Sequence, residues 1–145
     1  MLEFVNVKQN IFDTDILPLL APSVFEPTPE KLKARAEKYL NNPNTHIYAC
    51  RDGGKYIGIV VVEVVGTKAT VLDIAVDEAC RKSGVGSHLL SFVLENFNIS
   101  ELTAETDDDA VGFYQKLGFS IAETKTVFDT KRYVCTISKN KSVVS

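Results

Sequence analysis

Metal-binding, nucleic-acid-binding and membrane-spanning signatures are all missing from this chain. Its three cysteines, Cys50, Cys80 and Cys135, are too widely spaced to assemble a CxxC redox pair or a zinc knuckle locally. Cys50 and Cys135 fall in apolar runs and are expected in the core, with Cys80 in a turn; an odd count fits a reducing compartment. No HxxxH, HExxH or calcium-loop spacing of carboxylates occurs, so no metal is expected. Lys and Arg number 16 against 19 Asp and Glu, and no basic run concentrates enough charge to hold a nucleic-acid backbone. The longest apolar stretch, Ile57–Val65, falls well short of the ~20 residues that a bilayer-crossing helix needs. The opening MLEFVNVKQN has no basic region followed by an apolar one. These absences predict a cytoplasmic protein with neither nucleic acid nor membrane as a partner.

What is present is a globular composition, 45% hydrophobic and 24% charged. A length of 145 residues suits one domain, here residues 1–138, with a polar tail over 139–145 expected to fray. Charge is uneven along it. Glu101, Glu105, Asp107, Asp108 and Asp109 gather in one stretch, while Lys125, Lys131, Arg132, Lys139 and Lys141 crowd the end. The acidic group reads either as solvated surface or as a weak attraction for a cationic substrate.

Alternation predicts a first strand over Leu2–Val7, followed by a mixed stretch to Ser23. Thr28-Pro29-Glu30 is a helix start, and Leu32, Ala36, Tyr39 and Leu40 mark its buried stripe before Asn41-Asn42-Pro43 stops it. Strands over His46–Arg51 and Tyr56–Val65 are joined by the hairpin signal Asp52-Gly53-Gly54-Lys55. A third, Thr70–Val76, is expected to point Leu72, Ile74 and Val76 one way and Val71, Asp73 and Ala75 the other. A polar loop then enters a helix with Leu89, Leu90, Val93, Leu94 and Phe97 on one face. The strand Glu101–Thr106 follows, giving a parallel crossover. A helix over Asp108–Leu117 and two strands, Phe119–Lys125 and Arg132–Ile137, complete the pattern.

Two segments could carry chemistry. In Arg81-Lys82-Ser83-Gly84-Val85-Gly86 the glycines let the backbone turn tightly into a helix whose positive end favours an anion. The spacing matches neither GxGxxG nor GxxxxGK[ST], so the loop is either a phosphate site or an ordinary helix entry. In Ala110-Val111-Gly112-Phe113-Tyr114-Gln115-Lys116-Leu117-Gly118-Phe119, Gly112 costs helix propensity, which implies that something packs closely there. Tyr114 on that stripe reads either as a core ring or as a proton donor.

Together the two segments resemble the GNAT family of N-acetyltransferases. Arg81, Gly84 and Gly86 match its R/Q-x-x-G-x-G/A signature directly after the apolar strand, and residues 110–119 match A-x-x-F-Y-x-K-x-G-F at every specified position. The resemblance implies a mixed α/β (α+β) fold with a central, mostly antiparallel, splayed sheet flanked by helices. It implies acetyl-CoA as cosubstrate, with the pyrophosphate held at Arg81, Lys82, Ser83, Gly84, Val85, Gly86 and Ser87. The pantetheine arm would lie as an extra strand beside Ile74, Ala75 and Val76, and Tyr114 would protonate the leaving thiolate. Asp107 stands where the family often has asparagine and is either a coenzyme contact or a helix cap.

An amine acceptor must lose a proton, and a carboxylate is the usual recipient. Glu105 leads as the end of a strand beside the cleft, ahead of Glu63 in the apolar strand and then Asp73; His46 and His88 are poorer candidates. The implied activity is acetyl transfer from acetyl-CoA to a primary amine of a small molecule or peptide. Its alternative is a non-catalytic acyl-CoA-binding or interaction module of the same fold. By the same resemblance, acceptor choice resides in residues 10–44 and 128–131. A homodimer is expected through the exposed edge of the last strand.

Overall fold

The computed structural model describes residues 2–81, 83–127 and 130–139. Seven strands are described: β1 (Leu2–Asn6), β2 (Thr45–Asp52), β3 (Lys55–Val65), β4 (Lys68–Val76), β5 (Glu101–Thr106), β6 (Ser120–Lys125) and β7 (Lys131–Ser138). They form one sheet in the order β1-β2-β3-β4-β5-β7-β6, antiparallel at every junction except β4–β5. The parallel pair is bridged by helix α2 (Val85–Asn96), as expected for a strand–helix–strand crossover.

Helix α1 (Pro29–Asn41) begins where the sequence signals it. Thr28 Oγ1 accepts from the Lys31 amide at 3.2 Å, Pro29 opens the first turn, and Ala36 and Tyr39 are buried. The preceding stretch, which has no clear period, folds into 3₁₀ segments at Lys8–Asn10 and Leu17–Ser23. Ile11, Ile16 and Leu20 from this region are fully buried. With α1 they cover one face of the sheet, against Ile47, Ile59 and Val61. The other face carries α2 and the short helix α3 (Val111–Lys116), where Leu89, Leu90, Val93, Tyr114 and Leu117 pack against Val60, Val62 and Leu102.

The alternation expected in β4 is broken. Val61 pairs with Asp73 and Val62 with Val71, so Leu72 is an extra residue in the ladder. Val71 therefore packs on the α2 face with Ile74 and Val76, while Leu72 turns to the α1 face and lines a cavity with Tyr39. Pairing of β4 with β5 ends at Val71↔Ala104. Beyond it, β4 runs on to Val76 with its β5-facing edge unpaired.

Three further expectations change. The helix over Asp108–Leu117 is shorter, starting at Val111 because residues 108–110 form a turn on the Asp107 carboxylate. The last strand is not an edge: β7 lies between β5 and β6, so it offers no free side to a second copy. Lys139, expected to fray, is held: its amide donates to Ser100 O at 2.9 Å and its Nζ to Phe97 O at 2.7 Å. Residues 140–145 lie outside the described part, as do Phe128 and Asp129 of the expected acceptor loop.

Candidate active site

A cavity of about 900 Å³ opens beside the unpaired end of β4. Ile74, Ala75 and Val76 form one wall; Arg81, Gly84, Val85, Gly86 and Ser87 form the second; Gly112, Phe113 and Tyr114 contribute the third. Eight of the expected coenzyme contacts thus share one cavity with the expected acid. Two others, Ser83 and Asp107, do not join them. Lys82 lies outside the described residues. Ser83 Oγ donates to the Cys80 carbonyl, and Asp107 Oδ1 accepts from the amides of Asp109 and Ala110, both at 3.1 Å. Asp107 therefore acts as a turn cap, and neither side chain lines the cavity.

The start of α2 presents a polar group without a partner among the described residues. Gly84 takes φ 84°, a left-handed conformation that turns the chain into α2. The first-turn amides of α2 have no carbonyl within the helix to accept them. Ser87 Oγ is buried without a hydrogen-bond partner among the described residues, a state that costs ~1–3 kcal/mol unless something else supplies one. Arg81 Nε donates to Val76 O at 3.3 Å, tying the guanidinium to the end of β4. The close approach expected at Gly112 is absent: a Cβ there meets no atom within 4 Å, because the residue faces the cavity. The close approach is at Gly86, where a Cβ would stand 3.0 Å from Phe113 Cζ.

Tyr114 is buried, its ring set edge-on to Phe113 and Phe119 at 5.0 and 5.3 Å. Nothing among the described residues hydrogen-bonds its hydroxyl. Burial first, then the nearby Cys135 and Asp73, push the phenol well above the ordinary tyrosine range, so it is protonated at neutral pH.

The three candidate bases occupy different settings. Glu105 is exposed, in ion pairing with Arg132 Nε at 3.3 Å, and lines neither this cavity nor a second one on the α1 side. Glu63 lines a second cavity, of about 810 Å³ on the α1 side, and accepts from Asn42 Nδ2 at 2.8 Å. Asp73 is buried where β4 parts from β5; its Oδ2 accepts from Tyr39 Oη at 2.9 Å and Arg35 Nη1 at 3.1 Å, while Oδ1 has no partner among the described residues.

The sequence model of the acetyltransferase (GNAT) domain matches residues 21–134. The chain belongs to the GNAT family. This GNAT chain is 28% identical over 134 residues to the UPF0157 protein YqkA of Bacillus subtilis (strain 168), covering 86% of the chain but only 39% of YqkA. Its fold is that of an aminoglycoside 6'-N-acetyltransferase solved with coenzyme A (TM-score 0.80, 14% identity, 96% and 97% of the two chains). It is also that of a GNAT acetyltransferase from Elizabethkingia anophelis solved with acetyl-CoA (TM-score 0.71, 22% identity, 94% and 97%).

The sequence of this GNAT chain offers Asp73 as a candidate base but does not show that Arg35 and Tyr39 enclose it. Arg35 and Tyr39 stand four residues apart and so share a face of α1, a spacing that was legible. Their common partner was not, because the extra residue at Leu72 decides which way Asp73 points. Among the described residues no three His, Cys, Asp or Glu side chains gather as a metal site, and no helix is long and apolar enough to cross a membrane.

Proposed function

We propose that the chain transfers an acetyl group from acetyl-CoA to a primary amine of a small molecule or peptide. The observation that carries this reading is the meeting, at one cavity, of a parted strand edge, a helix start with a buried partnerless hydroxyl, and a phenol kept protonated. The similar structures that hold coenzyme A and acetyl-CoA support the cosubstrate.

The residues present fit that group. The first-turn amides of α2, Ser87 Oγ and the Arg81 guanidinium suit a diphosphate. The free backbone edge over Leu72–Val76 suits an arm containing amides that lies along it as a strand would. When bound, acetyl-CoA supplies an electrophilic thioester carbonyl and a sulfur leaving group.

Tyr114 holds a proton at the cavity wall for the developing sulfur anion. A phenol raised this far is a reluctant donor, so its hydrogen bond to the anion stabilises charge even before the proton moves. Of the three carboxylates, Glu63 is the one that lines a cavity. We assign it to take the amine proton, directly or through water. Glu105 is held by Arg132 and Asp73 by Arg35 and Tyr39.

The test is Tyr114→Phe, which keeps the ring and removes the hydroxyl. Thiol release measured over a panel of amines should show kcat down by about 10²-fold with coenzyme affinity little changed. A folded variant working at the parent rate removes Tyr114 as the acid. Coenzyme binding by the parent with no amine turned over favours the non-catalytic module.

A further inference from the structure

We infer that the second cavity, on the α1 side of β4, receives the body of the acceptor and is built for an amine that also carries a carboxylate and an apolar group; this rests on the acetyl-transfer reading above. A volume of about 810 Å³ is that of a small-molecule site. It adjoins the first cavity along two shared segments. Leu72 lines the second cavity and Ile74 the first, with Asp73 buried between them; Val24 lines the second and Pro22 the first.

The charges in this cavity come from facing elements. Lys31, Arg35 and Lys38 share one face of α1, and Glu63 opposes them from β3. Arg35 is spent on Asp73. Lys31 keeps its charge while its Nζ donates to Phe25 O at 3.0 Å, and Lys38 has no hydrogen bond or ion pair among the described residues. Two lysines against one carboxylate leave positive charge in excess. Asn42 engages only Oε2 of Glu63, leaving Oε1 for a donor. A cation for a carboxylate and a carboxylate for an ammonium, in one cavity, match the two ends of an amino acid.

Apolar surface completes the match. Leu72 and Phe25 both line the cavity and are 37% and 83% exposed, which leaves a side chain of the ligand something to cover. Glu26 beside Phe25 is the one non-glycine residue with positive φ among those described, at 46°. Such strain persists where the surroundings fix the backbone, here partly through the Lys31 bond to Phe25 O.

The acidic stretch lies away from both cavities. Glu101 pairs with Lys68 at 3.8 Å, Glu105 with Arg132, and Asp108 accepts from Tyr133 Oη at 2.6 Å. None of the acids between Glu101 and Asp109 lines either cavity.

The test titrates N-acetyl-L-phenylalanine, the product such an acceptor would give, into the chain with coenzyme A present, followed by amide chemical shifts and compared with N-acetylspermidine. Saturable shifts at Tyr39, Glu63 and Leu72 are expected, with binding about tenfold weaker in Lys38→Glu and unchanged in Lys33→Glu, an exposed lysine of α1 outside the cavity. No saturable binding, tighter binding of N-acetylspermidine, or equal weakening in both variants overturns the inference. Thiol release with phenylalanine and with phenethylamine separates the two levels. If the N-acetyl amino acid binds as expected and neither amine is acetylated, the acetyl-transfer reading fails and the ligand class stands. If phenethylamine is acetylated and phenylalanine is not, the acetyl-transfer reading stands and the ligand class fails.

Discussion

Gly86 and Phe113 are in contact: a methyl group placed on Gly86 would stand 3.0 Å from Cζ and 3.1 Å from Cε1 of the ring. Through this contact the first turn of α2 meets α3, closing two walls of the cavity on each other. A branched residue at Gly86 crowds both the turn into α2 and the approach of an anion to it. The structure adds a packing cost inside the protein.

Gly86→Val is accordingly expected to lose stability as well as coenzyme affinity. Overpacking of this kind costs ~1–3 kcal/mol. Urea denaturation should register it, and Gly86→Val combined with Phe113→Ala should lose less than the sum of the two single changes. A strictly additive pair would mean that the ring swings away freely.

How much of this site the sequence showed depends on which residues are considered. Loop and helix residues are fixed by local chemistry: Gly84 turns the chain into α2, and Tyr114 and Leu117, three residues apart, share the buried side of α3. Their gathering at one cavity is implied by the family resemblance and by neither segment alone. Three features resist such reading. Gly112 looked like a packing contact because low helix propensity has the same signature whether the residue touches a neighbour or lines a void. The direction of Asp73 depends on the extra residue Leu72, and nothing in Thr70–Val76 marks a register shift. The place of β7 between β5 and β6 is a long-range pairing that no local period encodes.

Asp73 is expected to hold the α1 layer to the sheet. Asp73→Ala leaves a buried Tyr39 hydroxyl without its acceptor and Arg35 without its carboxylate. Breaking such a pair costs ~3–5 kcal/mol when both partners are buried. Since Arg35 retains water on a side chain 34% exposed, about 3 kcal/mol is expected. Asp73→Asn, which can still accept from Tyr39, should lose less. Equal losses in the two variants, read from denaturation midpoints, would show that the acceptor asparagine keeps for Tyr39 contributes nothing without the charge that faces Arg35.

Alkaline pH should expose the buried phenols. Burial first raises Tyr39 and Tyr114, with Asp73 adding to both, so the folded chain holds these protons more tightly than the unfolded chain does. Their contribution to stability is complete below ~pH 10, the ordinary tyrosine value, and is lost as pH rises beyond it. Tyr133, pushed up to about 12 mainly by its bond to Asp108, should titrate reversibly in the folded chain. Absorbance near 295 nm followed alongside circular dichroism checks this: Tyr39 and Tyr114 are expected to ionise only as the structure melts. Full ionisation at pH 10 with the fold intact would contradict their burial.

The central claim, that the cavity between β4, α2 and α3 holds the acyl-CoA, is tested most directly by titrating acetyl-CoA into the chain and following backbone amide shifts. Saturable changes are predicted along Ile74–Val76, at Gly84–Ser87 and at Gly112–Tyr114, the three walls of the cavity. The absence of saturable change, or changes confined to β1 and β2 at the far side of the sheet, would contradict it.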